Sequence, residues 1–311
     1  MPDIVISEFM DEVALKKAAR NFDVHYDPDL VDKPEELSVL LAKARALVVR
    51  NRTRVDRNLL QAAPELKVVG RLGVGLDNID LDACAERGVE VRPATGANDA
   101  AVAEWVIIAS MMLLRGAFLS KQACLGGEWP RNRCIGRESG GKIMGLIGFG
   151  GIARETAARA RCLGFSVLAY DPYVPADSSV WQGVEKKDDL FTLLKTADVV
   201  SLHVPLTDET LHLIDSAAIS RMKPGAVLVN AARGGVLDEK ALAAALTEGR
   251  IGGAALDVYE TEPLTREAAR LFLDVPNLVL TPHIAGVTIE SNQRVSQLTM
   301  DNVCAVLEKS P

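Results

Sequence analysis

Six residues near the middle of the chain, Gly148-Phe149-Gly150-Gly151-Ile152-Ala153, constrain its fold more than any other stretch. Before them, Ile143 to Ile147 is a short apolar run suited to a buried parallel strand; after them, Ile152 to Leu163 has helical spacing with arginines on the outer side. A strand that turns sharply on glycines into a helix needs Gly148 for the turn, Gly150 for close backbone approach to a ligand, and a small Ala153 for helix–strand packing. The helix start then offers unpaired N–H groups and the positive end of its dipole to a phosphate. A second strand, Ser166 to Tyr170, ends at Asp171, about 20 residues beyond the glycines, where a carboxylate accepts hydrogen bonds from ribose hydroxyls. Pro172-Tyr173-Val174-Pro175 follows, with no arginine for a 2′-phosphate. The expected cofactor is therefore NAD rather than NADP, contacted by Gly148, Gly150, Gly151, Ile152 and Asp171.

A chain of 311 residues, 48% hydrophobic and 25% charged, is long enough for two domains with ample core. The net charge of -7 gives no reason to expect nucleic-acid or membrane binding. The five cysteines are scattered without metal-ligand spacing, and no signal peptide precedes the first strand-like run, Asp3 to Ser7. Reduced thiols, a cytoplasmic location and no metal are the expectation. Strand and helix patterns alternate regularly from residue 1 to about 97 and again after the fingerprint, where six parallel strands are expected. The fold class is thus α/β with two doubly wound parallel-sheet domains. Arg92 to Asn98 is the candidate hinge. Asn98 is the expected cap of a helix running from Asp99 to about Leu119. That helix is apolar on nearly all faces, which calls for burial between domains or against a second copy; an oligomer contact is the favoured reading. A final helix, Thr288 to Leu307, is expected to return to the first domain. The expected boundaries are 1–97 plus 288–311 for a flavodoxin-like substrate domain, and 98–287 for the Rossmann domain inserted into it.

Ligands of such sheets sit outside the carboxyl ends of the strands. Three strand ends carry chemistry: Asn230-Ala231-Ala232-Arg233-Gly234-Gly235, Asp257 to Pro263, and Thr281-Pro282-His283-Ile284-Ala285-Gly286. Hydride transfer at a carbonyl carbon leaves an alkoxide that needs a proton, and histidine, with an unperturbed pKa of about 6.5, is suited to donate it. A carboxylate on the other ring nitrogen fixes the tautomer, and Glu262 is the candidate partner of His283. Arg233 offers a planar, permanently charged fork for a substrate carboxylate and carbonyl. Taken singly, each has a plain structural reading: a core histidine, a surface arginine, a turn-capping glutamate. Their joint placement after consecutive strand ends favours chemistry.

The combination of GFGGIA, His203-Val204-Pro205-Leu206-Thr207, Asn230 to Gly234, Asp257-Val258 with Glu262-Pro263, and Pro282 to Gly286 resembles the D-isomer-specific 2-hydroxyacid dehydrogenases. Gly73 to Asp80, Asn98 to Glu104 and Gly127-Glu128-Trp129 extend the likeness over nearly the whole chain. The resemblance implies an NAD-dependent oxidoreductase acting on the CH–OH group of a 2-hydroxy acid, with Arg233 on substrate, Glu262 paired to His283, and His283 as acid and base. It implies cofactor contacts from Thr210 and Asp257, with His203, Pro205, Ala231 and Gly286 lining the same cleft. Backbone at Val74 and Gly75 is expected to bind the substrate carboxylate, as a glycine-rich turn exposes N–H groups to an anion. The helix after Asn98 is expected to form the dimer. Gly151 departs from the arginine that many relatives carry there, which implies one fewer pyrophosphate contact. Ending at Pro311, the chain resembles a short phosphoglycerate dehydrogenase-like form without a regulatory domain.

Arg50, Arg52, Arg54, Arg71 and Arg92 stand at or just past strand ends of the first domain. Solvated surface charge is their plain reading. The functional expectation is that Arg50, Arg52 and Arg71 bind a second anionic group, which points to 3-phosphoglycerate or 3-sulfolactate; hydroxypyruvate or glyoxylate reduction is the alternative. A remote alternative is an NAD-sensing binding protein.

Overall fold

Short apolar runs of three to five residues, each followed by a helix, leave a chain little choice but parallel strands with helical crossovers. In the computed structural model, which describes residues 2–116 and 120–309, this pattern builds two separate compact units. One comprises the residues up to Asn98 together with those from Val287 onward; the other runs from Asp99 to Gly286.

The first unit contains β1 (Ile4–Ile6), α1 (Glu12–Ala18), β2 (Val24–Tyr26), α2 (Pro34–Leu41), β3 (Ala46–Val49), α3 (Arg57–Ala62), β4 (Val68–Arg71), α4 (Leu81–Glu86) and β5 (Glu90–Pro93). Its sheet is wholly parallel, with order β2-β1-β3-β4-β5, the flavodoxin-like winding. Side chains alternate across it: Ile4, Ile6 and Val48 face one core, Val5, Leu47 and Val49 the other, and all six are fully buried. Burial on both faces is worth about 1.5–3 kcal/mol for each of these side chains and explains their apolar, unalternating sequence, β-branched at every one of the six but Leu47. The first face is closed by α11 (Ile289–Leu307), which starts in a capping box between Thr288 and Ser291. A Cβ at Gly70 on β4 would lie 2.6 Å from a Val303 methyl and 2.9 Å from that of Thr299, so the helix lies directly on the strand. Arg92 and Pro93, expected in a hinge, belong to β5, because their backbone pairs with β4.

The second unit contains α5 (Asp99–Arg115), α6 (Lys121–Leu125), β6 (Ile143–Ile147), α7 (Gly151–Cys162), β7 (Ser166–Tyr170), β8 (Glu185–Lys186), α8 (Leu190–Thr196), β9 (Val199–Leu202), α9 (Ser216–Ser220), β10 (Val227–Asn230), α10 (Glu239–Thr247), β11 (Gly253–Leu256) and β12 (Leu278–Leu280). All its strands are parallel, in the order β12-β11-β10-β9-β6-β7-β8, and the winding reverses between β6 and β9. Seven strands replace the expected six. The extra one, β8, is two charged residues paired to Leu168 and Ala169, and carries no apolar signature to read. α5 buries Val102, Val106, Ile107, Leu113 and Leu114, and ends at Arg115; the expected end near Leu119 lies outside the described residues. The cap expected from Asn98 is not formed, since its Oδ1 is buried without a hydrogen-bond partner.

Candidate active site

The glycine turn stands at the reversal of the second sheet, where such folds leave a crevice. Gly148 has φ +86, and a Cβ there would lie 2.5 Å from the His203 carbonyl oxygen, so both conformation and space require glycine. Gly150 differs: its φ is ordinary, and a Cβ would meet open space. It precedes α7 with no side-chain cap, leaving the first-turn N–H groups of the helix without a side-chain acceptor. Open space before uncapped amides fits a pyrophosphate. Ala153 is fully buried, and the Phe149 ring stacks on Trp181 with centroids 4.8 Å apart, holding the turn from below. Asp171 accepts from the Phe149 N–H at 2.8 Å and the Tyr173 N–H at 2.9 Å, so it ties the second strand end to the turn. Gly151, the first residue of α7, lies against the Asp99 carboxylate, which burial and Glu155 push above its ordinary pKa, against Arg154.

On the other side of the reversal, His203 Nε2 is 3.0 Å from Ser201 Oγ, and desolvation lowers its pKa to about 4. Its ring is neutral near pH 7. Thr210 Oγ1 donates to the Pro205 carbonyl at 2.6 Å and accepts from the Thr207 N–H at 2.8 Å, which folds the Pro205 to Thr210 loop onto itself.

The three chemical residues rise from the ends of β10, β11 and β12. Asn230, buried at the end of β10, accepts from the Ala232 N–H and donates to the Arg233 carbonyl, both at 3.0 Å, and so shapes the turn that carries Arg233 and Ala231. Arg233 Nη1 donates to the Ala232 carbonyl at 2.6 Å. His283 Nδ1 is 2.7 Å from Glu262 Oε2, and Glu262 Oε1 accepts from the Tyr259 N–H at 3.0 Å. Burial works to raise the Glu262 carboxyl, but the His283 hydrogen bond and charge, the Tyr259 amide and Arg233 outweigh it and hold the group below its ordinary value. The Tyr259 to Glu262 segment is anchored in turn by Glu239, whose Oε1 accepts the Glu260 N–H at 2.7 Å. Asp257 is buried, with its carboxylate taking Thr281 Oγ1 at 2.5 Å and the Ile284 and Ala285 N–H groups at 2.8 and 2.7 Å. Its side chain therefore builds the turn that presents His283 and Gly286, a task that its motif alone did not reveal. The arrangement pins one imidazole nitrogen to a carboxylate and leaves Nε2 for a substrate proton.

In the first unit, Arg50 and Arg52 lie in the loop after β3, and Arg71 ends β4 beside Val49. The Arg50 guanidinium lies 5.9 Å from the Phe9 ring centroid, and its Nη2 donates to Asn292 Oδ1 at 3.0 Å. Arg52 pairs with Asp32 at 2.5 Å, both exposed. Arg71 folds back over Gly73, donating to the Leu72 carbonyl, next to Val74 and Gly75. Arg92 instead pairs with Glu90 on its own strand. Sequence reasoning missed the task of Glu8 and Asn78, which hold the loop carrying Arg50 and Arg52: no motif marks Glu8, and the segment Gly73 to Asp80 gave Asn78 no role, as the partners of both lie 25 to 45 residues away.

Comparison with known proteins agrees with this fold. Residues 107–285 match the model of the D-isomer specific 2-hydroxyacid dehydrogenase NAD binding domain. The chain is 56% identical over 303 residues to (S)-sulfolactate dehydrogenase of Chromohalobacter salexigens, covering 97% of each chain. It is 39% identical over 307 residues to D-3-phosphoglycerate dehydrogenase of Methanocaldococcus jannaschii, covering 99% of this chain and 58% of that one. Among solved structures, D-lactate dehydrogenase of Aquifex aeolicus, complexed with NAD and lactic acid, superposes with TM-score 0.83 at 27% identity, covering 98% of this chain and 96% of that chain. No helix among the described residues is long and apolar enough to cross a membrane. The uncapped glycine turn, the acid after the second strand and the imidazole–carboxylate pair thus belong to a member of the D-isomer specific 2-hydroxyacid dehydrogenase family, an NAD-dependent oxidoreductase acting on a hydroxy acid.

Proposed function

We propose that this chain interconverts (S)-3-sulfolactate and 3-sulfopyruvate with NAD, the observation that carries the chemistry being the 2.7 Å contact of His283 Nδ1 with Glu262. The stereochemical label fits a D-specific family. In lactate the carboxyl outranks the methyl group, but sulfur makes the sulfomethyl group outrank the carboxyl, so a D arrangement of sulfolactate is named (S). Bound NAD supplies the acceptor for the hydride on C2. Gly148, Gly150, Gly151, Ile152 and Asp171 would hold its pyrophosphate and adenosine ribose, with His203, Pro205, Thr210, Ala231, Asp257 and Gly286 along the rest of its cleft.

In oxidation His283 Nε2 takes the C2 hydroxyl proton while the C2–H bond breaks, and Glu262, ionised, stabilises the imidazolium formed. In reduction the same nitrogen returns the proton to the alkoxide. Arg233 orients the carboxylate and the oxygen on C2, and the amides at Val74 and Gly75 bind the carboxylate. Arg50 and Arg52 meet the sulfonate, supported by Arg71; these strand-end arginines, together with the relative of 56% identity, favour a substrate with a second anion. The family's reaction is expected in the cytoplasm, where the five unpaired cysteines stay reduced, and in a dimer formed through α5.

The test is NADH oxidation against 3-sulfopyruvate, 3-phosphohydroxypyruvate, hydroxypyruvate, glyoxylate and pyruvate. A kcat/KM highest for 3-sulfopyruvate is expected, lost by about 10²–10⁴-fold in His283→Ala with NAD binding retained. Preference for the phosphorylated acid reassigns the anion, preference for a small acid removes the anion role from the arginines, and NAD binding without turnover of any acid overturns the enzymatic reading.

A further inference from the structure

We infer that Glu8 is a positioning residue for recognition of the substrate's second anion, acting through the loop Arg50 to Thr53; the inference rests on the substrate reading above. Glu8 follows β1 and is 4% exposed. Its Oε1 accepts the N–H groups of Arg50 at 2.8 Å and Thr53 at 3.0 Å, and its Oε2 those of Arg52 at 3.1 Å and Asn51 at 3.3 Å. Four successive amides therefore converge on one carboxylate. Such a convergence is an anion-binding nest, and here the protein's own side chain fills it. A buried carboxylate is tolerated only when its oxygens are satisfied, and four charge-assisted bonds do so.

The other edge of the loop is held as well. Asn78 Nδ2 donates to the Thr53 carbonyl at 2.6 Å and to the Arg50 carbonyl at 3.4 Å, and Thr53 Oγ1 lies 2.9 Å from Ser7 Oγ. Asn78 stands in the segment Gly73 to Asp80, so the loop with Arg50 and Arg52 is fastened to the stretch that contains Val74 and Gly75.

Two consequences follow from where the donors go. An anion reaching this loop finds its amides already occupied, so recognition falls to the guanidinium groups of Arg50 and Arg52. The position of those groups is set by backbone that Glu8 holds. Loosening the loop lets the arginines drift, and a drifting charge loses more for a ligand with two anionic groups than for a ligand with one.

The experiment is steady-state kinetics of the whole protein and of Glu8→Gln and Glu8→Asp with 3-sulfopyruvate and hydroxypyruvate, beside calorimetric binding of the unreactive dianion 3-sulfopropanoate in the presence of NAD. Gln places an NH₂ against N–H groups; Asp keeps the charge on a shorter arm. The ratio of KM for 3-sulfopyruvate to KM for hydroxypyruvate is expected to rise about tenfold in Glu8→Gln, with an intermediate rise in Glu8→Asp, while kcat on 3-sulfopyruvate stays within about threefold. Affinity for 3-sulfopropanoate should fall with the same order. If Glu8→Gln does not fold, the Glu8→Asp ratio decides. An unchanged ratio with sulfopyruvate turnover intact overturns the role of Glu8 and leaves the substrate reading standing. Wild-type protein that turns over neither acid yet binds 3-sulfopropanoate, with loss in Glu8→Gln, overturns the substrate reading and leaves Glu8 standing. Neither turnover nor binding by the wild type overturns both.

Discussion

His283 has a backbone φ of 54°, a left-handed conformation that costs a residue with a side chain about 1–3 kcal/mol. Asp257 enforces it: its backbone carbonyl accepts the His283 N–H at 2.8 Å while its carboxylate holds the next two amides. The imidazole is thereby aimed by backbone geometry, and Glu262 fixes its remaining rotation. Because the folded protein holds Glu262 below its ordinary value, its stabilising effect is fully present above the unfolded value of about 4.3 and is lost as pH falls through the lowered folded value. Glu262→Gln should accordingly melt below wild type at pH 7 by an amount worth about 0.5–1.5 kcal/mol, a modest figure because the pair is partly exposed. The two melting temperatures should converge in acid, and a gap independent of pH would refute the linkage. On the chemical step the same substitution should lower kcat about a hundredfold, measured at saturating NAD.

At the level of elements, the turn from β6 into α7 separates two kinds of glycine. Gly148→Ala forces a side chain into a left-handed position against the His203 carbonyl and should lower stability by about 1–3 kcal/mol in denaturant titrations. Gly150→Ala fills open space at an ordinary φ, so its melting temperature should match wild type while NAD affinity, read by calorimetry, falls. Equal melting temperatures for the two variants would show that the contrast is wrong. This element was legible in the sequence because all its parts, strand, glycines, helix and Asp171, lie within one short stretch. The strand-end residues Arg233, Glu262 and His283 were legible for a related reason: parallel winding puts every such end on one side of the sheet. Glu8 and Asn78 were not, because their partners are set by sheet order and not by spacing. β8 escaped because two charged residues at a sheet edge have no hydrophobic period, and the missing Asn98 cap shows that a capping residue type does not guarantee the bond.

At the level of the whole molecule, α5 is apolar beyond what its own unit covers. Ile108 is 58% exposed, with half-buried Trp105, Met111 and Met112 around it, and Trp129 and Ile135 are also exposed in the segment that follows. We propose that this exposed apolar face of α5 is the contact between two copies of the chain. Light scattering should find a dimer for the wild-type protein and a monomer, or a dimer weakened at least about tenfold, for Ile108→Glu; an unaltered dimer would move the contact elsewhere. The placement of α11 on β4 has a consequence of another sort. A ribosome delivers residues in order, so the entire sequence from Asp99 to Gly286 has been synthesised before Thr299 and Val303 exist. During that interval the second unit has all its strands, while the first unit's sheet waits with the face around Gly70 lacking its closing helix; the part of the chain made first is the part finished last.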